Sequence, residues 1–367
     1  MKNTFGTSVK LTVFGESHGE AIGAVIDGLA PGINVDENVI SQMLSRRRPS
    51  SALDTARREQ DNYSIISGVF NGKTTGAPIC IIIPNEDKRS ADYEKMRGIA
   101  RPSHADYAAH CKYHGFEDYR GGGHFSGRVT AATVAAGALL QSALAGIGIK
   151  IGTHILRCGD IHDRPFDDIP KDIEYLACTS FPLLASEREK AVTEAILSAK
   201  NACDSIGGVI QTAVYGVPAG IGDPWFDSVE GLLSHALFSV GGIKGVEFGI
   251  GFDCAYMTGK SFNDEFAVRD GKIVTLTNHN GGINGGITNG MPILFNCAVK
   301  PTPSISSPQK TVDFRAVEDA VLTIEGRHDP AIIRRICPVV DSITALVICD
   351  LIAQRYGTDV FTSGVLA

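Results

Sequence analysis

AVIDGLAPGINVDENVISQML at residues 24–44 and AVYGVPAGIGDPWFDSVEGLL at residues 213–233 run in one order: strand, Pro/Gly turn, aspartate, amphipathic helix. In the first copy Asp36 stands as an N-cap, and Val39, Ile40, Met43 and Leu44 recur at helical spacing before Arg46, Arg47, Arg48 and Pro49. The echo predicts two related halves, roughly 1–150 and 205–367. Around the first copy, residues 9–14 and 21–27 read as strands, as do 63–70 and 78–84 on either side of the turn Asn71-Gly72-Lys73. The last of these, PICIIIP, reads as buried on both faces. Further on, the spacing predicts a buried Ala/Gly-rich helix within 129–149 and a strand over 150–157. A surface helix over 185–200 and an apolar closing helix over 341–355 follow.

The 367 residues are 43% hydrophobic, enough for the packed core of one large domain or two. The net charge of −7, with basic residues clustered rather than spread, argues against a nucleic-acid surface and for small anion pockets. Nine cysteines with no CxxC pair read as reduced thiols in an intracellular protein, without a metal site. The N-terminus has no signal-peptide pattern, and 129–149 is too rich in Ala, Gly, Thr and Ser for a membrane span.

The chemistry is densest in residues 101–128, RPSHADYAAHCKYHGFEDYRGGGHFSGR. Ser103 and Asp106 have capping-box-like spacing ahead of a helix over 105–114, which would put His104 in its first turn, where the helix dipole favours the neutral imidazole. Such a histidine is a general acid or base, or else only bonds a turn. Gly121, Gly122 and Gly123, between Arg120 and Arg128, read as an anion-binding turn, with an ordinary turn as the alternative. Gly15, Glu16, Ser17, His18 and Gly19 form a tight polar connection between strands. Three successive arginines, with Arg57 and Arg58 following, exceed what helix capping needs and point to anion binding. In the second half Gly241 and Gly242, Lys244, and Lys300 with the hydroxyls after it gather comparable groups.

Eight motifs in register carry a resemblance: GESHG (15–19), RRRP (46–49), HADY (104–107), DYRGGG (118–123), KGVEFG (244–249), GGINGGI (281–287), KPTPSI (300–305) and GRHDP (326–330). In this order, over almost the whole chain, they resemble the chorismate synthase family. The resemblance implies an α/β chain of α+β type: a single-domain sandwich of helices between two mainly antiparallel sheets, with pseudo-twofold halves. It implies a cytoplasmic homotetramer. The implied reaction is anti-1,4-elimination of phosphate from 5-enolpyruvylshikimate-3-phosphate, giving chorismate with reduced FMN required and no net redox change. His18, beside Ser17, would then give a proton to departing phosphate, and His104 would stabilise or protonate the reduced flavin. Asp329 would act with the flavin in removing the substrate proton, with Ser126 in the catalytic set. Arg46, Arg47, Arg48 and Arg128 would bind substrate anions. His124, Phe125, Ser126, Gly241, Gly242, Gly285, Lys300, Pro301, Thr302, Pro303, Ser304 and Arg327 would contact FMN.

Three places depart from the family's common pattern. His124 and Phe125 replace Arg-Ser, Gly241 replaces Asn, and Leu53-Asp54 stand, one residue short, where an arginine is usual. Without a dinucleotide fingerprint, an external flavin reductase is expected rather than intrinsic NADPH-dependent reduction. An ordinary flavin oxidoreductase would need that fingerprint, and a noncatalytic anion binder would leave His18, His104 and Asp329 idle.

Overall fold

The computed structural model describes residues 2–51, 53, 54, 59–86, 97–324 and 329–364. Arg57, Arg58 and Arg327, with Gly326 and His328, lie outside the described residues. Ten strands build two five-stranded antiparallel sheets. The first holds β1 (Thr4–Phe5), β2 (Lys10–Gly15), β3 (Ala21–Asp27), β4 (Ser64–Ser67) and β5 (Ile79–Pro84), in spatial order β1-β2-β3-β5-β4. The second holds β6 (Lys150–Cys158), β7 (Ile161–His162), β8 (Gly208–Tyr215), β9 (Ile243–Phe248) and β10 (Ile293–Val299), in order β7-β6-β8-β10-β9. The four main strands of each sheet thus follow one connectivity. The repeated sequence occupies its second strand: Ala24 lies opposite Val13 and Ile81, and Ala213 opposite Gly152 and Leu294. The second run of this order begins with β6, a strand the sequence echo does not include.

Seven helices matter to the site: α1 (Glu37–Arg47), α2 (Asp106–Tyr113), α3 (Thr130–Gly146), α4 (Ile169–Cys178), α5 (Glu189–Asn201), α6 (Val229–Leu237) and α7 (Ile333–Tyr356). Both echoed helices start on side-chain caps, since Asp36 accepts from the Asn38 N–H and Ser228 from the Gly231 N–H. Helix α1 packs on α3 and α6 on α7, while α3 and α7 cross between the sheets and touch both. At their crossing a Cβ on Gly137 would lie 2.1 Å from Ser342 Cβ, so only glycine allows this approach. Both helices are long and apolar enough to cross a membrane, yet they are packed inside the chain. Helix α7 starts eight residues before the expected closing helix. Pro338 falls in its second turn, where the Ser342 hydroxyl bonds its carbonyl.

The sheets differ in cover. Helix α4 packs on β6 and β8, closing the outer face of the second sheet. On β5, Ile79, Ile81 and Ile83 are buried, whereas Cys80 and Ile82 are only partly so. PICIIIP is therefore covered on one face, not both: among the described residues no equivalent helix lies over the first sheet.

Candidate active site

The short connection between β2 and β3 carries Ser17, fully buried, and His18, 6% exposed. Asn85 pins the connection by donating to the Glu16 and Gly19 carbonyls, and the Ser17 N–H donates to the Gly123 carbonyl. Ser17 Oγ stands 3.2 Å from His18 Nδ1 and 3.2–3.3 Å from the carbonyls of Gly121 and Arg120.

The glycine run packs against two imidazoles. Gly121, Gly122 and Gly123 take φ of 60°, 85° and 53°, a left-handed series that side chains resist. A Cβ on Gly121 would lie 2.2 Å from His18 Cε1, and one on Gly122 3.3 Å from His104 Nε2. Two neighbouring glycines thus seat the two histidines against one turn.

His104 lies ahead of α2, not in its first turn. Ser103 is left-handed (φ 59°) and the helix begins at Asp106 with Ala105 as an N-cap that makes no side-chain bond. The Asp106 carboxylate, freed from capping, accepts from Arg101 at N, Nε and Nη2 and faces His104 Nδ1 at 2.8 Å. Burial pushes this carboxyl up, but hydrogen bonds and charge from Arg101 and His104 together outweigh it, so it sits well below the usual carboxylate range.

His104, His124, Phe125, Ser126, Gly241, Gly242 and Lys300 through Ser304 all line one cavity of about 750 Å³. That is within the range of sites for small molecules and cofactors. His124 Nδ1 donates to the Gly15 carbonyl at 2.8 Å, so Nδ1 carries the ring proton and the departure from arginine ties the cavity to the Ser17–His18 connection. Lys300 donates to the Ser103 carbonyl at 2.6 Å, joining the second half to the His104 segment. Burial and nearby Lys244 hold its amine below the usual lysine range. Thr302 Oγ1 is buried without a hydrogen-bond partner. A close pair of cations and an orphaned hydroxyl in this wall fit an anionic, polar ligand edge.

The arginines form a separate, charge-balanced layer. Arg47 and Arg128 both bind Asp61, and Arg128 also pairs with Glu59 at 2.6 Å. Burial holds the Arg47 pKa below its ordinary value, against the attraction of Asp61. Arg46 faces Asp341 at 3.6 Å, and Arg48 donates to the Gln60 carbonyl. Asp54 is bound by Arg334 at 2.6 Å and by the N–H groups of Ser50 and Ser51, so the residue at the missing-arginine position has its own buried partner. Asp329, 2.5 Å from Arg335, is pushed up to about 6 by burial. Ser17, His18, Asp329 and the arginines lie behind the cavity lining. Gly285 lies apart from it, in a hairpin whose next residue accepts from the Val229 N–H.

Sequence reading missed part of the cavity. Lys2 and Asn3, with Phe5 of the first strand, form one wall with His235 of α6, and Val339, Ile343 and Leu346 turn one face of α7 toward it. Helical spacing in α7 could have marked that face, but nothing local in the sequence marks the N-terminal wall.

Imidazoles on a glycine turn and a buried arginine layer beside one cavity, on a frame of two antiparallel sheets with helices between them, are the features of an α/β enzyme for a small anionic molecule. The sequence matches the chorismate synthase family over residues 9–353. The chorismate synthase of Methanocella arvoryzae is 44% identical, covering 95% of this chain and 93% of its own, and that of Thermococcus kodakarensis is 42% identical, covering 95% and 97%. A crystal structure of a chorismate synthase superposes with a TM-score of 0.77 at 27% identity, covering 98% of this chain and 96% of that one. The chain belongs to the chorismate synthase family. Its activity is that of a carbon–oxygen lyase of the shikimate pathway, eliminating phosphate from 5-enolpyruvylshikimate-3-phosphate to give chorismate.

Proposed function

We propose that this elimination takes place where the glycine turn meets the cavity, with FMN held by the wall that His124 through Ser126, Gly241, Gly242 and Lys300 through Ser304 provide. The single observation that carries the reading is that Gly121 abuts His18 and Gly122 abuts His104, which puts two imidazoles beside one ligand space. Reduced FMN held there would supply electron density toward the substrate ring with no net redox change. His18, oriented by Ser17, gives a proton to the departing phosphate, and His104 holds or moves a proton at the flavin side. Asp329, with its pKa near 6, is ionised at neutral pH and takes the ring proton. Arg46, Arg47, Arg48 and Arg128 present the substrate's anions with a basic layer whose pairing to Asp61 and Glu59 has to be shared on binding.

Residues 1–367 act as one domain, in a cytoplasmic homotetramer, and reduced flavin comes from an external reductase. Anaerobic turnover with chemically reduced FMN tests the reading: chorismate should accumulate over many turnovers while the flavin spectrum stays that of the reduced form. One flavin oxidised per product would sink it.

A further inference from the structure

Arg101, Asp106 and His104 form a closed set at the cavity edge, and its hydrogen bonds fix where the imidazole proton sits. Asp106 Oδ2 accepts the backbone N–H of Arg101 at 3.0 Å and its Nε–H at 2.8 Å. Oδ1 accepts Arg101 Nη2 at 2.7 Å and faces His104 Nδ1 at 2.8 Å. Two acceptors at 2.8 Å would repel, so Nδ1 must be the protonated nitrogen. The Arg101 Nη2 contact to Nδ1, at 3.1 Å, is then proximity around a shared oxygen. Nε2 is left to the cavity, edge-on to Gly122, as an acceptor when the ring is neutral and a donor when it is protonated. Among the described residues Arg101 and Asp106 are the charged side chains bonded to this ring, while Lys300 reaches only the Ser103 carbonyl. The carboxylate is held ionised by the guanidinium and stays an acceptor.

We propose that Asp106 is a positioning residue for the reaction, which holds His104 in the Nδ1–H form through a carboxylate locked in place by Arg101. It acts through the histidine, as a buried carboxylate orients a catalytic imidazole elsewhere. The proposal rests on the reading of His104 as a proton-handling residue.

Asp106→Asn tests it with little change of shape. The amide NH₂ is disfavoured at the Oδ2 position, where two N–H donors converge, so it takes the Oδ1 position, where only Arg101 Nη2 opposes it, and donates to Nδ1. The ring proton moves to Nε2. Solid-state ¹⁵N NMR of histidine-labelled protein, above the pH where the ring titrates, reads this directly, the His104 signal being assigned by its loss in His104→Gln. Wild type should show protonated Nδ1 and bare Nε2, and the variant the reverse. In anaerobic turnover kcat should fall about 10²-fold or more while FMN and substrate dissociation constants stay within about threefold, since the lost function is proton placement. Protonated Nε2 in wild type, or an unchanged tautomer with kcat within a few-fold, overturns the proposal. Near-normal turnover of His104→Gln would bring down the catalytic reading and the proposal with it, and the spectrum would show whether the Asp106 contact itself was right.

Discussion

Gly121→Ala isolates the seating of His18. The added methyl would lie 2.2 Å from His18 Cε1, 2.4 Å from Nδ1 and 2.9 Å from Ser17 Oγ, so the imidazole must give by about 1.2 Å to reach ordinary contact at 3.4 Å. A misplacement of about 1 Å in a reacting group costs on the order of 10²-fold in rate, about 2.7 kcal/mol of barrier. The left-handed backbone adds about 1–2 kcal/mol of instability for any side chain there. Gly271→Ala separates the two terms, because Gly271 shares the left-handed backbone (φ +73°) but has nothing within 4 Å of its Cβ position. Both variants should lose similar stability in urea titrations, and only Gly121→Ala should lose about 10²-fold in kcat with reduced FMN under anaerobiosis. Equal turnover in the two variants would refute the view that the turn seats a working histidine.

Asp341, on the buried face of α7 near Arg46, is pushed up to about 6 by burial, so its contribution to stability is full below about pH 4 and is lost as pH rises through 6. Asp341→Asn should therefore stabilise the protein at pH 7.5 by about 2–3 kcal/mol and flatten the pH 4–6 dependence in thermal unfolding. Arg128→Ala removes one buried partner from each of Asp61 and Glu59 and should cost about 3–5 kcal/mol, whereas Arg48→Ala should cost under about 1, both by urea denaturation. If Asp329 takes the ring proton, kcat should rise about tenfold per pH unit up to roughly its pKa of about 6 and level off above 7; a flat profile from pH 5 to 8 would remove that role.

What the sequence shows and hides follows from the range of the interactions. Asp36 as a cap, the periodic run of α1 and the repeated strand–turn–helix are local patterns, and they are legible as such. The role of Asp106 is not, because Ser103-x-x-Asp106 has the spacing of a cap, and only the left-handed turn at Ser103 aims the carboxylate at His104. The glycine run reads as ligand-binding backbone, but that its missing side chains make room for rings 18 and 103 residues away is not legible locally. The counter-ions of the arginines were within reach, since Asp54, Glu59 and Asp61 follow the RRRP run closely. The Asp350 carboxylate, which accepts the N–H groups of Thr7, Ser8 and Val9 and so ties down the strand beside the cavity, has no local signature at all.

The repeat also explains why Ser17 and His18 have no counterpart in the second half. Between the first and second main strands of the first sheet lie residues 16–20, short enough to hold Ser17 and His18 rigidly against the glycine turn. Between the equivalent strands of the second sheet, β6 and β8, lie residues 159–207, which carry α4 and α5. A connection of that length cannot fix one side chain against a neighbouring turn without further packing, and its helices are spent on the outer face of the sheet, where Ile173 and Leu176 are buried. The second half contributes to the cavity from the same end of its strands as this connection, through the Gly241-Gly242 turn before β9 and the Lys300–Ser304 segment after β10, which the Lys300 N–H to Gly242 carbonyl bond holds together. Two copies of one scaffold therefore supply different chemistry, the His18 imidazole from the short connection of one and a cationic, hydroxyl-bearing wall from the strand ends of the other, and the cavity lies where the two meet.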